Sequence, residues 1–102
     1  MTKVTIDPGI CGFIAKAQAE MKDSMCAISV KCGCKHICTM VKELKEVDPM
    51  TEISFQREGS AILKKFEKTC PHPSCPIPSG ILKAVEVEAG LALPQNASIK
   101  FE

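Results

Sequence analysis

The chain contains 102 residues, of which 45% are hydrophobic and 25% are charged, and its formal net charge is +1. This length and composition are typical of one globular domain, so we expect a single domain over residues 1–102 and exclude a disordered chain. The balanced charge and the absence of Trp and Tyr argue against nucleic-acid binding, which needs clustered Lys and Arg and, for single strands, stacking aromatics.

The hydropathy pattern predicts a cytoplasmic protein that does not enter a membrane. Residues 1–8 lack the apolar core of a secretory signal, and no apolar run approaches the roughly 20 residues that span a bilayer. The cytoplasm keeps thiols reduced, yet the chain carries seven cysteines, an odd number that a closed set of disulfides would not use up. The composition therefore favours metal binding or thiol chemistry over structural disulfides.

The first third of the chain is predicted to form three strands. Apolar and polar residues alternate over residues 4–7, 13–20 and 26–32, as they do on strands with one buried face. A turn at residues 22–24 is predicted to join the second strand to the third as a hairpin. Gly33 ends the third strand, and the apolar spacing then changes to that of a helix.

The middle of the chain is predicted to be helical. The apolar spacing over residues 37–47 indicates a first helix, which Asp48 and Pro49 are predicted to stop. Residues 50–57 favour neither strand nor helix. Residues 62–69 are predicted to form a second, short helix.

The last third is predicted to contain a proline-rich loop, a third helix and a closing strand. The prolines within residues 70–78 argue against regular structure there. Ser79 is a favourable N-cap for the helix, and Gly90 and Pro94 mark its end. Residues 97–102 alternate apolar and polar side chains, which indicates a final strand.

These elements together predict an α+β fold. Three strands, then helices, then a closing strand pack most simply as a mainly antiparallel sheet of about four strands with about three helices on one face.

Three cysteines are interpreted mainly through packing. Cys26 shares a strand face with Ile28 and Val30, so we interpret it as a small buried apolar residue. Cys32 lies at the strand end, where packing and metal ligation are equally compatible with the pattern. Cys38 lies beside the apolar stripe of the first helix, so a core role competes with ligation.

The other four cysteines lie at the ends of predicted elements. Cys34 precedes the first helix, where free N–H groups and the positive end of the helix dipole favour a thiolate. Cys70 and Cys75 lie on the proline-stiffened loop, which holds two thiols at a low cost in entropy. Cys11 follows a turn and precedes Gly12, so we expect its sulfur to be accessible.

Element ends can converge on one edge of a sheet-and-helix sandwich, which makes these four cysteines the predicted cofactor-binding and metal ligands: Cys11, Cys34, Cys70 and Cys75. Four thiolates would hold an iron–sulfur cluster or a closed tetrahedral zinc site. His72, between two prolines, is interpreted as a loop histidine rather than a ligand.

Four motifs stand out along the chain: PGICGF (residues 8–13), CKHI (34–37), CPHPSCP (70–76) and ILKAVEVEAGLALP (81–94). Together they resemble a small uncharacterised protein family of strict anaerobes, and the resemblance spans nearly the whole chain.

The resemblance separates the cysteines into two groups. It implies that the motif cysteines are the four predicted ligands, whereas three others fall outside the motifs: Cys26, Cys32 and Cys38. It also implies an anaerobic setting, which favours an iron–sulfur cluster over zinc because oxygen-sensitive clusters survive there.

The sequence therefore leads to a small iron–sulfur protein that acts in electron transfer or as an accessory protein, with a protein partner and without nucleic acid or a membrane. Two alternatives stay open. One is a structural zinc module for protein–protein interaction. The other is a thiol–disulfide redox protein that uses Cys70 with Cys75 or Cys34 with Cys38, although the chain has no C-x-x-C motif. No catalytic motif is recognisable, so a non-enzymatic role is favoured over an enzyme.

Overall fold

The computed structural model describes residues 1–55 and 58–102. The described residues form, in chain order, β1 (Thr2–Ile6), β2 (Ala15–Lys22), β3 (Met25–Lys31), α1 (Lys35–Glu43), β4 (Glu46–Val47), α2 (Pro49–Glu52), α3 (Ala61–Thr69) and α4 (Ile77–Glu88). The strands pair in the order β1-β2-β3-β4, each antiparallel to its neighbour. The predicted α+β fold with a mainly antiparallel sheet is therefore confirmed.

The sheet buries one face because small side chains alternate along its second strand. Ala15, Ala17 and Ala19 of β2 are almost fully buried, and the polar residues between them face the opposite side. Helix α4 packs across β1 and β2 on the buried face, and α1 packs against β3. Three alanines in a row on one face let a helix approach the sheet closely, so the position of α4 follows from this pattern.

The hydrophobic core lies between the sheet and the helices. Its largest fully buried side chains come from all the longer helices: Ile37, Met40, Ile62, Ile77, Ile81 and Val85. Burial of one such side chain contributes about 2 kcal/mol, so the core alone provides a large stabilising term. Among the helices of the described residues, none is long and apolar enough to cross a membrane.

The predicted hairpin turn between β2 and β3 is confirmed. Strand β2 ends at Lys22, and Asp23 has a φ of 58°, in the left-handed region that Asp tolerates better than most residues. The register that follows pairs Met21 with Cys26, which places Cys26 on the buried face.

The first predicted helix, over residues 37–47, is too long. Helix α1 ends at Glu43, and Val47 belongs to β4, where it pairs with Cys26. Val47 is buried, as its helical spacing required, but it is buried as a strand residue. The spacing of apolar residues thus indicated burial correctly and the type of element incorrectly.

Asp48 and Pro49 begin a helix instead of stopping one. The Asp48 carboxylate accepts a hydrogen bond of 3.0 Å from the Met50 N–H, and Pro49 occupies the first turn of α2, where no N–H is needed. Part of the ambiguous segment 50–57 is therefore helical, and Gln56 and Arg57 lie outside the described residues.

Helix α4 begins at Ile77 with Pro76 as its N-cap, three residues before the start that Ser79 as N-cap predicted. Pro78 falls in the first helical turn, where its missing N–H breaks no hydrogen bond. The irregular part of the proline-rich segment therefore ends at Pro76. The predicted end of the helix is correct, because Gly90 has a φ of 77° and closes the last turn.

The predicted closing strand over residues 97–102 is wrong. This segment is irregular, and Ile99 and Phe101 are 81% and 100% exposed. Alternation of side chains produces a strand only where a neighbouring edge supplies hydrogen bonds, and the segment pairs with no strand of the described chain. The fourth strand of the sheet is β4.

Glu52 is a buried carboxylate that anchors the start of α3. Its Oε1 accepts hydrogen bonds from the Ser60 hydroxyl at 2.6 Å and the Ile62 N–H at 3.1 Å, and its Oε2 accepts one from the Ala61 N–H at 2.8 Å. Ser60 in turn accepts from the Leu63 N–H at 3.0 Å as the N-cap. The free N–H groups of α3 are thus satisfied by two side chains.

We predict that Glu52→Gln lowers the free energy of unfolding by about 1–3 kcal/mol, because the amide group directs a donor at groups that themselves donate. Urea unfolding followed by circular dichroism measures the change. Glu20→Gln, on the exposed side of β2, is the control and should leave the stability nearly unchanged. Equal stabilities of the two variants would contradict this role of Glu52.

Glu88 ties the end of α4 to the first two strands. Its carboxylate accepts hydrogen bonds from the Met21 N–H at 3.1 Å and the Thr2 hydroxyl at 2.8 Å, and lies 3.5 Å from the Met1 ammonium group. The bond from Met21, followed by that from Thr2, holds the pKa of the Glu88 carboxyl below its ordinary value.

We predict that Glu88→Gln destabilises the protein at neutral pH and that the difference from the parent protein vanishes in acid. A carboxyl whose pKa is lowered by folding stabilises the native state above its unfolded pKa, and this contribution is lost as the pH falls through the lower folded value. Urea unfolding at neutral pH and at several pH values below the ordinary glutamate pKa of about 4.3 tests this. Glu67→Gln, exposed on α3, is the control, and a difference that is independent of pH would refute the assignment.

Candidate metal centre

The antiparallel pairing brings several cysteine-bearing connections to one end of the sheet. Ile6, the last residue of β1, pairs with Ala15 at the start of β2, and Lys16 pairs with Lys31 at the end of β3. The β1–β2 loop (residues 7–14) and the β3–α1 link (residues 32–34) are therefore neighbours. We call this end of the sheet the cysteine end.

The loop and the link are in direct contact at the cysteine end. The ring of Phe13 packs against Gly33 so closely that a Cβ on Gly33 would lie 3.0 Å from the ring. The Cys32 thiol also lies 3.5 Å from the Phe13 carbonyl oxygen, to which it donates. Cys11, two residues before Phe13, is thereby kept close to the thiols of the link.

Three thiols surround the first turn of α1. The Cys34 N–H donates to the Cys32 sulfur at 3.4 Å, and the Cys38 thiol donates to the Cys32 carbonyl at 3.2 Å. Cys34 is the N-cap residue of α1, in an extended conformation and without a side-chain capping bond. The start of this helix is therefore lined by sulfur.

Helix α4 begins at the same end of the molecule. A Cβ on Gly80, in its first turn, would lie 2.5 Å from the Ile6 side chain, so the two residues are in close contact. Glu88, at the far end of α4, bonds to Thr2 and Met21 at the opposite end of the sheet. This direction of α4 brings Cys75, which lies just before it, to the cysteine end.

The proline-rich loop holds Cys70 and Cys75 in a turn. Cys70 is the C-cap residue of α3, and its N–H donates to the Phe66 carbonyl at 2.9 Å. The Cys75 N–H donates to the His72 carbonyl at 3.3 Å. The His72 side chain is exposed, so its contribution to the loop comes from its backbone.

The thiols influence one another electrostatically. Burial is the main cause that raises the pKa of Cys75, a hydrogen bond from the Ile77 N–H opposes it, and the negative charges of three other thiolates raise it further: Cys70, Cys11 and Cys34. Cys75 is therefore near enough to the other three predicted ligands for their charges to influence it.

Cys32 and Cys38 join the same neighbourhood. The pKa of Cys32 is raised mainly by burial, is lowered by the Cys34 N–H, and is raised again by the charges of Cys34, Cys38 and Cys11. Sequence reasoning left Cys32 and Cys38 outside the motif group. The Cys32-Gly33-Cys34 spacing is the signal that could have included Cys32, because residues that close together cannot be separated by the fold.

Cys26 is the one cysteine that lies apart from the others. It is fully buried on β3, as its interpretation as a packing residue requires, and burial raises the pKa of its thiol. This position makes it a natural control residue for experiments on the remaining six.

Two helices direct their positive ends at the cysteine end. Neither α1 nor α4 has a side-chain capping bond at its N-terminus, whereas Asp48 and Ser60 cap α2 and α3. N–H groups at these helix starts can therefore stabilise negative charge: the Ile77 N–H of α4 donates to the Cys75 sulfur, and Cys34 lies at the start of α1.

The thiols are near one another but are not arranged as a metal site. In the described residues, no group of three or more Cys, His, Asp or Glu side chains is placed to hold a metal ion. A centre at this position would require the thiol side chains to draw closer together.

The chain belongs to a family of unknown function (DUF6951), whose model matches residues 2–101. This agrees with the resemblance of its motifs to an uncharacterised family, while the restriction to strict anaerobes stays a prediction. The chain matches no curated protein and no solved structure.

We predict that Gly80→Ala destabilises the protein by about 1–3 kcal/mol, although alanine ordinarily stabilises a helix interior relative to glycine. The added methyl group would meet Ile6, whose own side chain is buried. Urea unfolding of a double-mutant cycle with Ile6→Ala tests the cause, because the cost of Gly80→Ala should fall when Ile6 is shortened. A stabilising Gly80→Ala would show that α4 does not approach β1 this closely.

Proposed function

We propose that this chain is a small metal–thiolate protein whose centre, an iron–sulfur cluster held by Cys11, Cys34, Cys70 and Cys75, serves in electron transfer or in an accessory role. The observation that carries the proposal is the meeting of three separate connections at the cysteine end of the sheet. Cys70 belongs to the hydrophobic core, and Cys34 and Cys75 pack against it, so packing accounts for part of this arrangement. It does not account for Cys11, which is exposed at the same end of the sheet.

The surroundings of the thiols favour an anionic centre. The N-terminus of α1 lies beside Cys34, the Ile77 N–H of α4 donates to the sulfur of Cys75, and the Cys34 N–H donates to the sulfur of Cys32. Hydrogen bonds to sulfur stabilise a bound thiolate and set the reduction potential of a cluster.

Burial and mutual repulsion make free thiolates unfavourable at the same place. Both effects raise the pKa of Cys75, so its neutral thiol is favoured in the protein without metal. A bound cation removes the cost of burying several thiolates together, because the metal ion displaces the thiol protons and neutralises the negative charges. Metal binding at the cysteine end should therefore release protons.

Two features favour iron–sulfur over zinc. The resemblance of the motifs implies an anaerobic setting, and Cys70 and Cys75 are each followed by proline, as is the last cysteine of the bacterial ferredoxin ligand run.

The nearby β1–β2 loop also presents exposed apolar side chains, those of Ile10, Phe13 and Ile14, on the side from which a protein partner would approach Cys11.

A structural zinc site is the second candidate. Four thiolates are a sufficient ligand set for zinc, and the four cysteines would join the β1–β2 loop, the start of α1 and the α3–α4 loop. The partner would then bind a surface that the metal holds in shape.

Anaerobic purification followed by iron, acid-labile sulfide and zinc analysis tests the proposal. We predict iron and sulfide in stoichiometric amounts and an electron paramagnetic resonance signal that appears or disappears on reduction. Serine substitution of Cys11, Cys34, Cys70 or Cys75 should remove most of the iron, whereas Cys26→Ser should retain it.

The outcomes separate the candidates. Zinc without iron would replace the cluster by the second candidate, and iron that survives substitution of all four cysteines would refute the ligand assignment. A protein that takes up neither metal after anaerobic reconstitution with iron and sulfide would overturn the metal–thiolate function.

A further inference from the structure

The segment that follows α4 combines the pattern of a strand with the exposure of an unpaired chain. Ile99 and Phe101 alternate with polar residues, yet they are 81% and 100% exposed. Leu93, earlier in the same segment, is 88% exposed. This combination suggests that the segment forms a strand, and buries its apolar side chains, only when it pairs with the edge of a sheet.

The sheet offers such an edge at β1. The strand order β1-β2-β3-β4 makes β1 an outer strand, and within the described ranges no strand pairs with its other side. Outer strands are templates for a further strand, supplied either by the same chain or by another. Strand β1 has five residues, Thr2–Ile6, which is long enough to pair with the four residues 99–102.

We propose that the segment of residues 99–102 from one copy of this chain adds as an antiparallel strand to β1 of a second copy, and that the exchange is reciprocal. The resulting dimer has two identical contacts related by a two-fold axis, which is the commonest symmetry of protein dimers.

One antiparallel register satisfies both faces of the extended sheet. Ile99 lies opposite Ile6 and Phe101 opposite Val4, so the apolar side chains join the face that the helices cover. Glu102 then lies opposite Lys3 on the open face, which forms a cross-strand pair of opposite charges. A shift by one residue would place Phe101 on the open face and is therefore disfavoured.

Pairing with β1 of the same chain fits less well. Glu88 binds Thr2, so α4 ends beside the start of β1, and the following segment would run most directly parallel to that strand. Parallel pairing with Ala97 opposite Thr2 carries Glu102 to Asp7, two like charges. The antiparallel register gives Glu102 a lysine partner instead. Within one chain this register would require residues 89–98 to run back along β1 first, and the described chain leaves the segment unpaired and exposed, so we assign the partner edge to a second copy.

Light scattering after size-exclusion chromatography of the full chain, kept reduced so that exposed thiols do not cross-link copies, tests the exchange. The parent protein should have the mass of a dimer, and Ile99→Asp with Phe101→Asp should be monomeric with an unchanged circular dichroism spectrum. Lys100→Ser, on the open side of the segment, is the matched control and should stay dimeric. A parent protein that is monomeric up to its solubility limit, or a dimer that survives both aspartates, would overturn the proposal.

Charge reversal tests the register independently of folding. Lys3→Glu and Glu102→Lys should each weaken the dimer by on the order of tenfold, because each homodimer then carries two like-charge pairs. An equimolar mixture of the two variants should dimerise like the parent protein, since both contacts of the mixed dimer are complementary. Failure of the mixture to recover, with each single variant weakened, would exclude this register. None of these residues is a proposed metal ligand, so the outcome is separable from that of the metal analysis.

Discussion

The close contact of α4 with the end of β1 determines the arrangement of the whole molecule. Gly80 leaves room for the Ile6 side chain, and the alanines of β2 let the rest of the helix settle on the sheet. The direction of α4 is fixed at its other end by Glu88, which bonds to two strands. Because Cys75 immediately precedes this helix, the same contact decides that the proline-rich loop reaches the cysteine end.

The electrostatics of the cysteine end contain two opposing effects. Burial and neighbouring thiols make it harder to ionise Cys32 and Cys75, whereas backbone N–H groups and two uncapped helix ends favour negative charge. A neutral thiol avoids the cost of ionisation, but it carries no negative charge for the N–H groups and helix ends to stabilise. A thiolate bound to a cation would satisfy both, which supports the proposed metal centre.

Local patterns predicted the parts of the fold that depend on neighbours in sequence. The first three strands, the hairpin turn and α3 follow from alternation, turn residues and short helical spacing. The two failures in the sheet depend on distant contacts, whereas the starts of α2 and α4 were missed although their cause, proline in the first helical turn, is local. Val47 joins a strand because Cys26 lies opposite, and residues 97–102 stay irregular because no edge of the described chain receives them. The convergence of the cysteines could be proposed from element ends, and the Cys32-Gly33-Cys34 spacing could have included Cys32. The place of Cys38 required the structure, in which its thiol donates to the Cys32 carbonyl.

The distribution of stabilising contacts bears on the kind of centre. Most of the fully buried core side chains are aliphatic, with Met40 and Cys26 among them. The carboxylates of Glu52 and Glu88 anchor helices by hydrogen bonds to protein groups. A domain built in this way has the means to fold before it binds metal, unlike small zinc modules whose folding free energy comes from the ion. The cysteine end, by contrast, holds exposed Cys11 and uncapped helix starts, which add little to stability without a ligand. A centre that the fold does not need for its own stability is better explained by chemistry than by structure, and this favours the iron–sulfur proposal over a structural zinc site.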